Sequence, residues 1–179
     1  MREFWKSFWE IAETVIIAAV TVFLIRTYLV QPFLVSGASM APNINHGNYL
    51  IIDQLTRRFQ EFQRSDVIVF RYPQDPDTFY IKRIIGLPGD RVQVKSGEVF
   101  VNGEKLIEEY LSSGTRTFGS TDAVLADNQY FVMGDNRDNS SDSRSWGLLG
   151  ENFIVGLARL RLFPFNQINI IERPAFNDN

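Results

Sequence analysis

The chain contains no cysteine and a single histidine, His46. Without cysteine there is no disulfide framework, no thiolate zinc site and no cysteine nucleophile. With one histidine, the two-histidine zinc helix of a metalloprotease is excluded. A Ser-His-Asp triad would have to use His46, in a polar, glycine-containing stretch just beyond Ser39. An excess of one charge is missing too. The 18 Lys and Arg against 21 Asp and Glu leave a net charge of −3 with no basic stripe, so no nucleic-acid partner is expected. Hydrolysis by a serine that a lysine activates remains open. Ser39 and Lys82 are the candidate pair, and no metal or cofactor is expected.

What is present divides the 179 residues into an anchor and a domain. From Ile11 to Val30 the chain reads IAETVIIAAVTVFLIRTYLV, and twenty helical residues span roughly 30 Å, the thickness of a bilayer's hydrocarbon. Trp5, Trp9 and Tyr28 stand where interfacial aromatics belong, and Arg26 can snorkel. The uncharged run from Thr14 to Ile25 is short, so a buried helix or a cleaved signal peptide competes with a retained single span. A strand-rich continuation offers the buried helix no helical partner. The small residues of VSGASM suit a cleavage site. The retained span is the reading adopted. Arg2, Lys6 and the amino terminus place the short tail inside and the main domain on the extracytoplasmic side.

Beyond Ser36 the pattern is of short β-type runs: Tyr49–Asp53, Asp66–Tyr72, Phe79–Ile85, Arg91–Val94, Glu98–Val101, Gln129–Met133, Phe153–Leu162 and Ile168–Ile171. Asn102-Gly103 and Ser96-Gly97 signal hairpins, and Leu87-Pro88-Gly89-Asp90 a turn. The fold class expected is mainly β, an antiparallel two-sheet or barrel-like domain behind one N-terminal transmembrane helix. Residues 1–30 form the tail and anchor, 31–171 the catalytic domain, and 172–179 a loose C-terminal tail. Polar Leu106–Asn128 reads as an exposed excursion. Ser39 follows Arg26 by at most roughly 45 Å of extended chain, so it works near the membrane surface.

Three segments carry the chemistry. In the first, QPFLVSGASMAPN, small residues flank Ser39 and let another backbone approach its hydroxyl. In the second, FYIKRIIGLPGD, strand alternation puts Tyr80, Lys82 and Ile84 on one face and Ile81, Arg83 and Ile85 on the other. Burial there lowers a lysine's pKa and frees its amine to act as a base. Taken alone, Lys82 reads as a strand lysine whose head reaches water. The third, YFVMGDNRDNSSDSRSWG, is a dense polar loop after an apolar strand, and its spacing fails the EF-hand pattern. Trp146 at its end either packs in the core or meets lipid, and packing is expected. His46 reads as a surface or turn histidine.

These segments, in this order and with RSDVIVF between the first two, resemble type I signal peptidase, the bacterial leader peptidase, a membrane-anchored Ser/Lys protease. The resemblance runs from the anchor to about Phe163, and GDNRDNSSDSR is its most specific string. It implies that Ser39 is the nucleophile, Lys82 the general base and Ser140 the hydroxyl that orients the lysine amine. Asp142 with Arg144, and Asp135 with Arg83, are implied as supporting ion pairs. Phe33, Val35, Tyr80 and Ile81 match positions lining shallow apolar pockets for small substrate side chains, and Met40 is grouped with them. Gly37 stands where some members carry an oxyanion-binding serine, so backbone N–H groups of Gly37–Ser39, chiefly that of Ser39, are implied as donors. Asn43 stands where threonine is usual, as a turn substitution.

The function expected is removal of signal peptides from exported preproteins after Ala-x-Ala-type small residues. Its partners would be signal-peptide-bearing preproteins, the lipid bilayer (plasma or thylakoid membrane) and, as a candidate, the secretion machinery. A self-cleaving repressor of the same Ser/Lys class predicts a DNA-binding amino terminus, where this chain has a hydrophobic run. The alternative from another class is a non-catalytic, membrane-tethered β domain that binds extended peptides.

Overall fold

A computed structural model describes residues 2–28, 30–56 and 59–174. Helix α1 (Arg2–Tyr28) leads to β1 (Val30–Leu34), β2 (Tyr49–Asp53), β3 (Val67–Tyr72), the long β4 (Asp75–Gly86), β5 (Arg91–Lys95), β6 (Glu98–Val101), β7 (Glu104–Lys105), β8 (Thr121–Val124) and β9 (Gln129–Met133). A single helical turn, α2 (Ser143–Trp146), precedes β10 (Leu149–Gly150), β11 (Ile154–Phe163) and β12 (Asn169–Ile170). The chain is mainly β and every strand pairing is antiparallel.

Two sheets result. The larger runs β1-β2-β11-β3-β4-β9-β10 with β12 on β11, and the smaller runs β7-β6-β5-β8. The hairpins form where the dipeptides demand: Ser96 and Gly97, and Asn102 and Gly103, all take positive φ, the backbone of a two-residue turn whose twist matches its strands. Gly89, at φ 84°, closes the Leu87–Asp90 turn. Strand alternation then sorts the core. Ile68, Phe70 and Ile84 pack with Val132 and Leu149 on one face of the central strands. Val67 and Val69 meet Val35, Met40 and Leu50 on the other. Ile85, Phe131 and Met133 close over the smaller sheet. Each fully buried side chain of this size contributes roughly 1.5–3 kcal/mol.

The excursion at 106–128 is more ordered than its composition suggests. Thr121–Val124 forms β8 against β5, and Thr117 and Leu125 are buried. Arg137, itself buried, donates to Glu108 and Thr117, which pins the excursion to the loop after β9. Polar residues that satisfy one buried guanidinium do not look like a core from sequence. Strands β1, β7 and β10 were also not expected; the first lies in the segment read as anchor and exit. In the described part of the C-terminal tail, Arg173 donates to Asp66 at 2.7 and 2.9 Å. Residues 175–179 lie outside the described residues.

Helix α1 is present, but among the described residues no helix is long and apolar enough to cross a membrane. Its large apolar side chains from Trp5 to Phe23, including Trp9, Ile16 and Val22, are exposed, and its main contact with the domain is at β1. The side chains of Arg26 and Tyr28 lie outside the described residues.

Candidate active site

Ser39 and Lys82 meet. Lys82 Nζ lies 2.8 Å from Ser39 Oγ and donates to the Ile81 carbonyl at 3.0 Å. Lys82 comes from β4, where it faces Ile68 of β3, and its ammonium sits 5.0 Å from the Tyr80 ring centroid. It is 3% exposed. This burial pushes its pKa down to about 8, against the opposing pull of Asp142 and Asp135. Desolvation wins because neither carboxylate bonds to the amine.

Both carboxylates are held by arginines instead. Arg83, on the opposite face of β4, donates through Nε and Nη2 to Asp135 at 2.8 and 2.7 Å. Arg144 donates through Nε and Nη2 to Asp142, each at 2.8 Å. Burial alone would raise the Asp142 carboxyl; Arg144, the Gly134 N–H and Ser140 together hold it below the usual value. Asp142 also caps α2 by accepting the Arg144 N–H. One carboxylate therefore organises the turn at Gly134 and the start of α2.

Ser140 is brought to the site but does not bond to the lysine. Its hydroxyl is buried without a well-formed partner, yet it lies close enough to Asp142 to help hold that carboxyl low. Gly134 is the reason it fits. A Cβ there would lie 2.3 Å from Ser140 Oγ and 2.4 Å from the Ser39 carbonyl oxygen.

A cleft of about 310 Å³ opens beside the pair. Phe33, Val35, Tyr80 and Ile81 line it, joined by Leu50, Val69 and Phe79, with Asn139 and Ser141 at the polar end. Phe33 and Phe79 meet edge to face, centroids 5.3 Å apart. Met40 does not line the cleft: it is buried in the core beneath the loop. Ser39 and Met40 lie in a turn, closed by the Ala41 N–H on the Ala38 carbonyl and the Ile44 N–H on the Met40 carbonyl, and the turn sends Met40 into the core. Trp146 packs on Phe70 and Tyr72, on the core side.

The nucleophile loop is held by residues to which the sequence assigned no such role. His46 Nδ1 accepts the Gly37 N–H at 3.2 Å, so that N–H is engaged and the donor set for an oxyanion narrows toward Ser39. Asn43 is more than a turn residue. Its Nδ2 donates to Asp135 Oδ2 at 2.8 Å and to the Tyr110 carbonyl at 2.9 Å. Asn136 donates from its backbone to the Ser39 carbonyl and from its side chain to Ala38. Its place inside the GDN string was the only available signal. Among the described residues no group of three or more His, Asp or Glu side chains is placed to hold a metal.

A serine against a desolvated lysine, in a cleft with apolar walls, can perform acyl transfer. The sequence is also similar to known proteins. Residues 8–163 match the family of signal peptidase, peptidase S26. Signal peptidase I of Bacillus licheniformis is 38% identical over 91% of this chain and 92% of its own. Signal peptidase I S of Bacillus subtilis strain 168 is 37% identical over 91% and 93%. A solved signal peptidase I from Enterococcus faecalis V583 superposes at a TM-score of 0.49 with 29% identity, over 55% of this chain and 97% of that one. With a match from the helix through β11 that takes in Ser39, Lys82 and the loop after β9, the chain belongs to the signal peptidase family, peptidase S26.

Proposed function

We propose that this protein is a serine endopeptidase that removes signal peptides from exported preproteins at a membrane surface, with Ser39 as nucleophile and Lys82 as general base. The observation that carries it is the 2.8 Å approach of Lys82 Nζ to Ser39 Oγ at the wall of the cleft. Neutral Lys82 takes the Ser39 proton as Oγ attacks the scissile carbonyl. The Ser39 N–H receives the developing oxyanion. Lys82 then protonates the leaving amine. In the second half it deprotonates water as the water attacks the acyl-enzyme, then returns that proton to the departing Ser39 Oγ, which frees the cleaved carboxyl product and restores neutral Lys82.

Two features favour an extended substrate with small side chains. Among the described residues β1 pairs only with β2, and β9 pairs with β4 from Arg83 onward, so among them the edge of β4 at Phe79–Lys82 is open on the side of the cleft. A peptide laid there pairs as a strand. The cleft's modest volume and its Phe33–Phe79 end suit alanine-sized side chains.

The anchor is retained in the bilayer in this reading, with the domain outside. A cut within Val35–Met40 would separate β1 from the sheet it edges, which disfavours a cleaved signal. Exposure of the helix's apolar side chains disfavours a buried helix. From Tyr28 to Phe33 the chain spans at most about 17 Å as a strand, which keeps the cleft close to the membrane.

The test is cleavage of an Ala-x-Ala preprotein by detergent-solubilised protein, beside Ser39→Ala and Lys82→Met. Wild type alone should cut at the expected bond. Binding without cleavage by folded wild type would replace the peptidase by a tethered peptide-binding domain. Activity in either variant would mean a different nucleophile or base.

A further inference from the structure

The Ser39 N–H has no intramolecular acceptor among the described residues, and its direction is set from outside its own loop. The Ala38 carbonyl accepts Nδ2 of Asn136 at 3.1 Å and the Ala41 N–H at 3.1 Å. In a trans peptide the carbonyl and the following N–H point in opposite directions within one plane. Holding the Ala38 oxygen toward Asn136 therefore turns the Ser39 N–H away from it. The backbone N–H of Asn136 also donates to the Ser39 carbonyl at 3.0 Å. Both peptide planes flanking the Ser39 Cα are thus tied to one residue, and two planes fix the φ and ψ between them.

The position of Asn136 gives this its meaning. It follows β9, whose Met133 pairs with Arg83 of β4, the neighbour of Lys82. The Ala41–Ala38 bond is internal to the nucleophile loop and moves with it. The Asn136 bonds tie that loop to the strands that carry the base.

We infer that Asn136 is a positioning residue for the oxyanion site: its side-chain amide aims the Ser39 N–H at the oxygen on which negative charge develops. This rests on the peptidase reading above. The demand on that one N–H is high here, because Gly37 brings no side-chain donor and its own N–H is engaged by His46. Removing an oxyanion donor outright costs about 10²–10³-fold in kcat in other hydrolases. Loss of the amide brace alone costs less, roughly 10- to 100-fold, because the Asn136 backbone bond and the Ala41 turn persist.

The experiment compares Asn136→Ala, Asn136→Gln and wild type as full-length protein in detergent. It reads kcat and KM on an Ala-x-Ala preprotein, inhibition by a peptide aldehyde of the cleavage sequence, and the thermal midpoint. The aldehyde forms a tetrahedral adduct with Ser39 and reports on the oxyanion site. Asn136→Ala should lower kcat and aldehyde affinity by the same factor, with KM within about twofold and the midpoint nearly unchanged. Asn136→Gln, which keeps the amide one methylene further out, should recover part of both. Unchanged kcat and aldehyde affinity in folded Asn136→Ala would overturn the inference. So would a joint fall of kcat, KM and midpoint that Gln does not repair, since that marks a purely structural role. If wild type itself fails to cleave, the peptidase reading falls, and this inference with it.

Discussion

Asp135 grips the Arg83 guanidinium through two hydrogen bonds of 2.7 and 2.8 Å, with the side chains 1% and 4% exposed. Arg83 is adjacent to Lys82, yet the two cations leave β4 on opposite faces. The arginine is neutralised by its partner while the lysine meets a hydroxyl. That division lets two neighbouring positive residues occupy one buried strand, one as a fixed charge and one able to lose its proton.

Removing one member of the buried pair should be severe. Asp135→Ala strands the Arg83 charge and frees the Asn43 amide, and about 3–5 kcal/mol of stability should be lost. Denaturant unfolding of Asp135→Ala beside an Arg83→Met/Asp135→Leu double variant checks this. The double variant should be the more stable of the two, and a milder cost for the single change would mean that water reaches the guanidinium.

The rate should follow the neutral fraction of Lys82. With its pKa near 8, kcat/KM should fall about tenfold per pH unit below that value and level off above it. A profile of preprotein cleavage between pH 6 and 10 reads it directly. A rate flat down to pH 6 would remove Lys82 as the base.

The same depression carries a stability cost. Lysine goes from 10.5 to about 8 on folding, so between those values the unfolded chain binds the extra proton and stability rises with pH. Below pH 8 the cost is constant, on the order of 3 kcal/mol. Lys82→Met should therefore unfold at higher denaturant than wild type at pH 7 while being inactive. The gap should narrow as pH approaches 10.5. A less stable Lys82→Met at pH 7 would show that the amine is well solvated.

Gly134→Ala should damage activity through sterics alone. Its Cβ would press on the Ser39 carbonyl oxygen and on Ser140 Oγ, and overpacking of this kind costs roughly 1–3 kcal/mol. Because the Ser39 carbonyl is what it displaces, kcat should fall more than the unfolding midpoint suggests. Wild-type kinetics in this variant would mean that the strand end shifts freely.

Much of the fold was legible because it is local. The Ser96-Gly97 and Asn102-Gly103 turns and the alternating runs of β2, β5 and β6 depend only on backbone preference and on side chains alternating across a sheet. β8 was not legible. Thr121–Val124 is a half-exposed strand whose order comes from pairing with β5, and the loop before it is fixed by the buried Arg137. β1 was hidden for the opposite reason, since its apolar residues merge with those of the helix before it.

The same boundary runs through the site. Sequence alone determined that no cysteine or paired histidine could do the chemistry, and its family resemblance implied which serine, lysine and acidic–arginine string to group together. It determined the faces of β4, because alternation is a property of the strand itself. Only the tertiary structure decided that Met40 turns into the core, that His46 takes the Gly37 N–H and that Asn43 joins Asp135. It alone decided that Asn136 holds both peptides around Ser39. Each of these is a hydrogen bond or packing contact between segments far apart in the chain or around a tight loop. Such contacts depend on where the sheets place their ends, which no local pattern records.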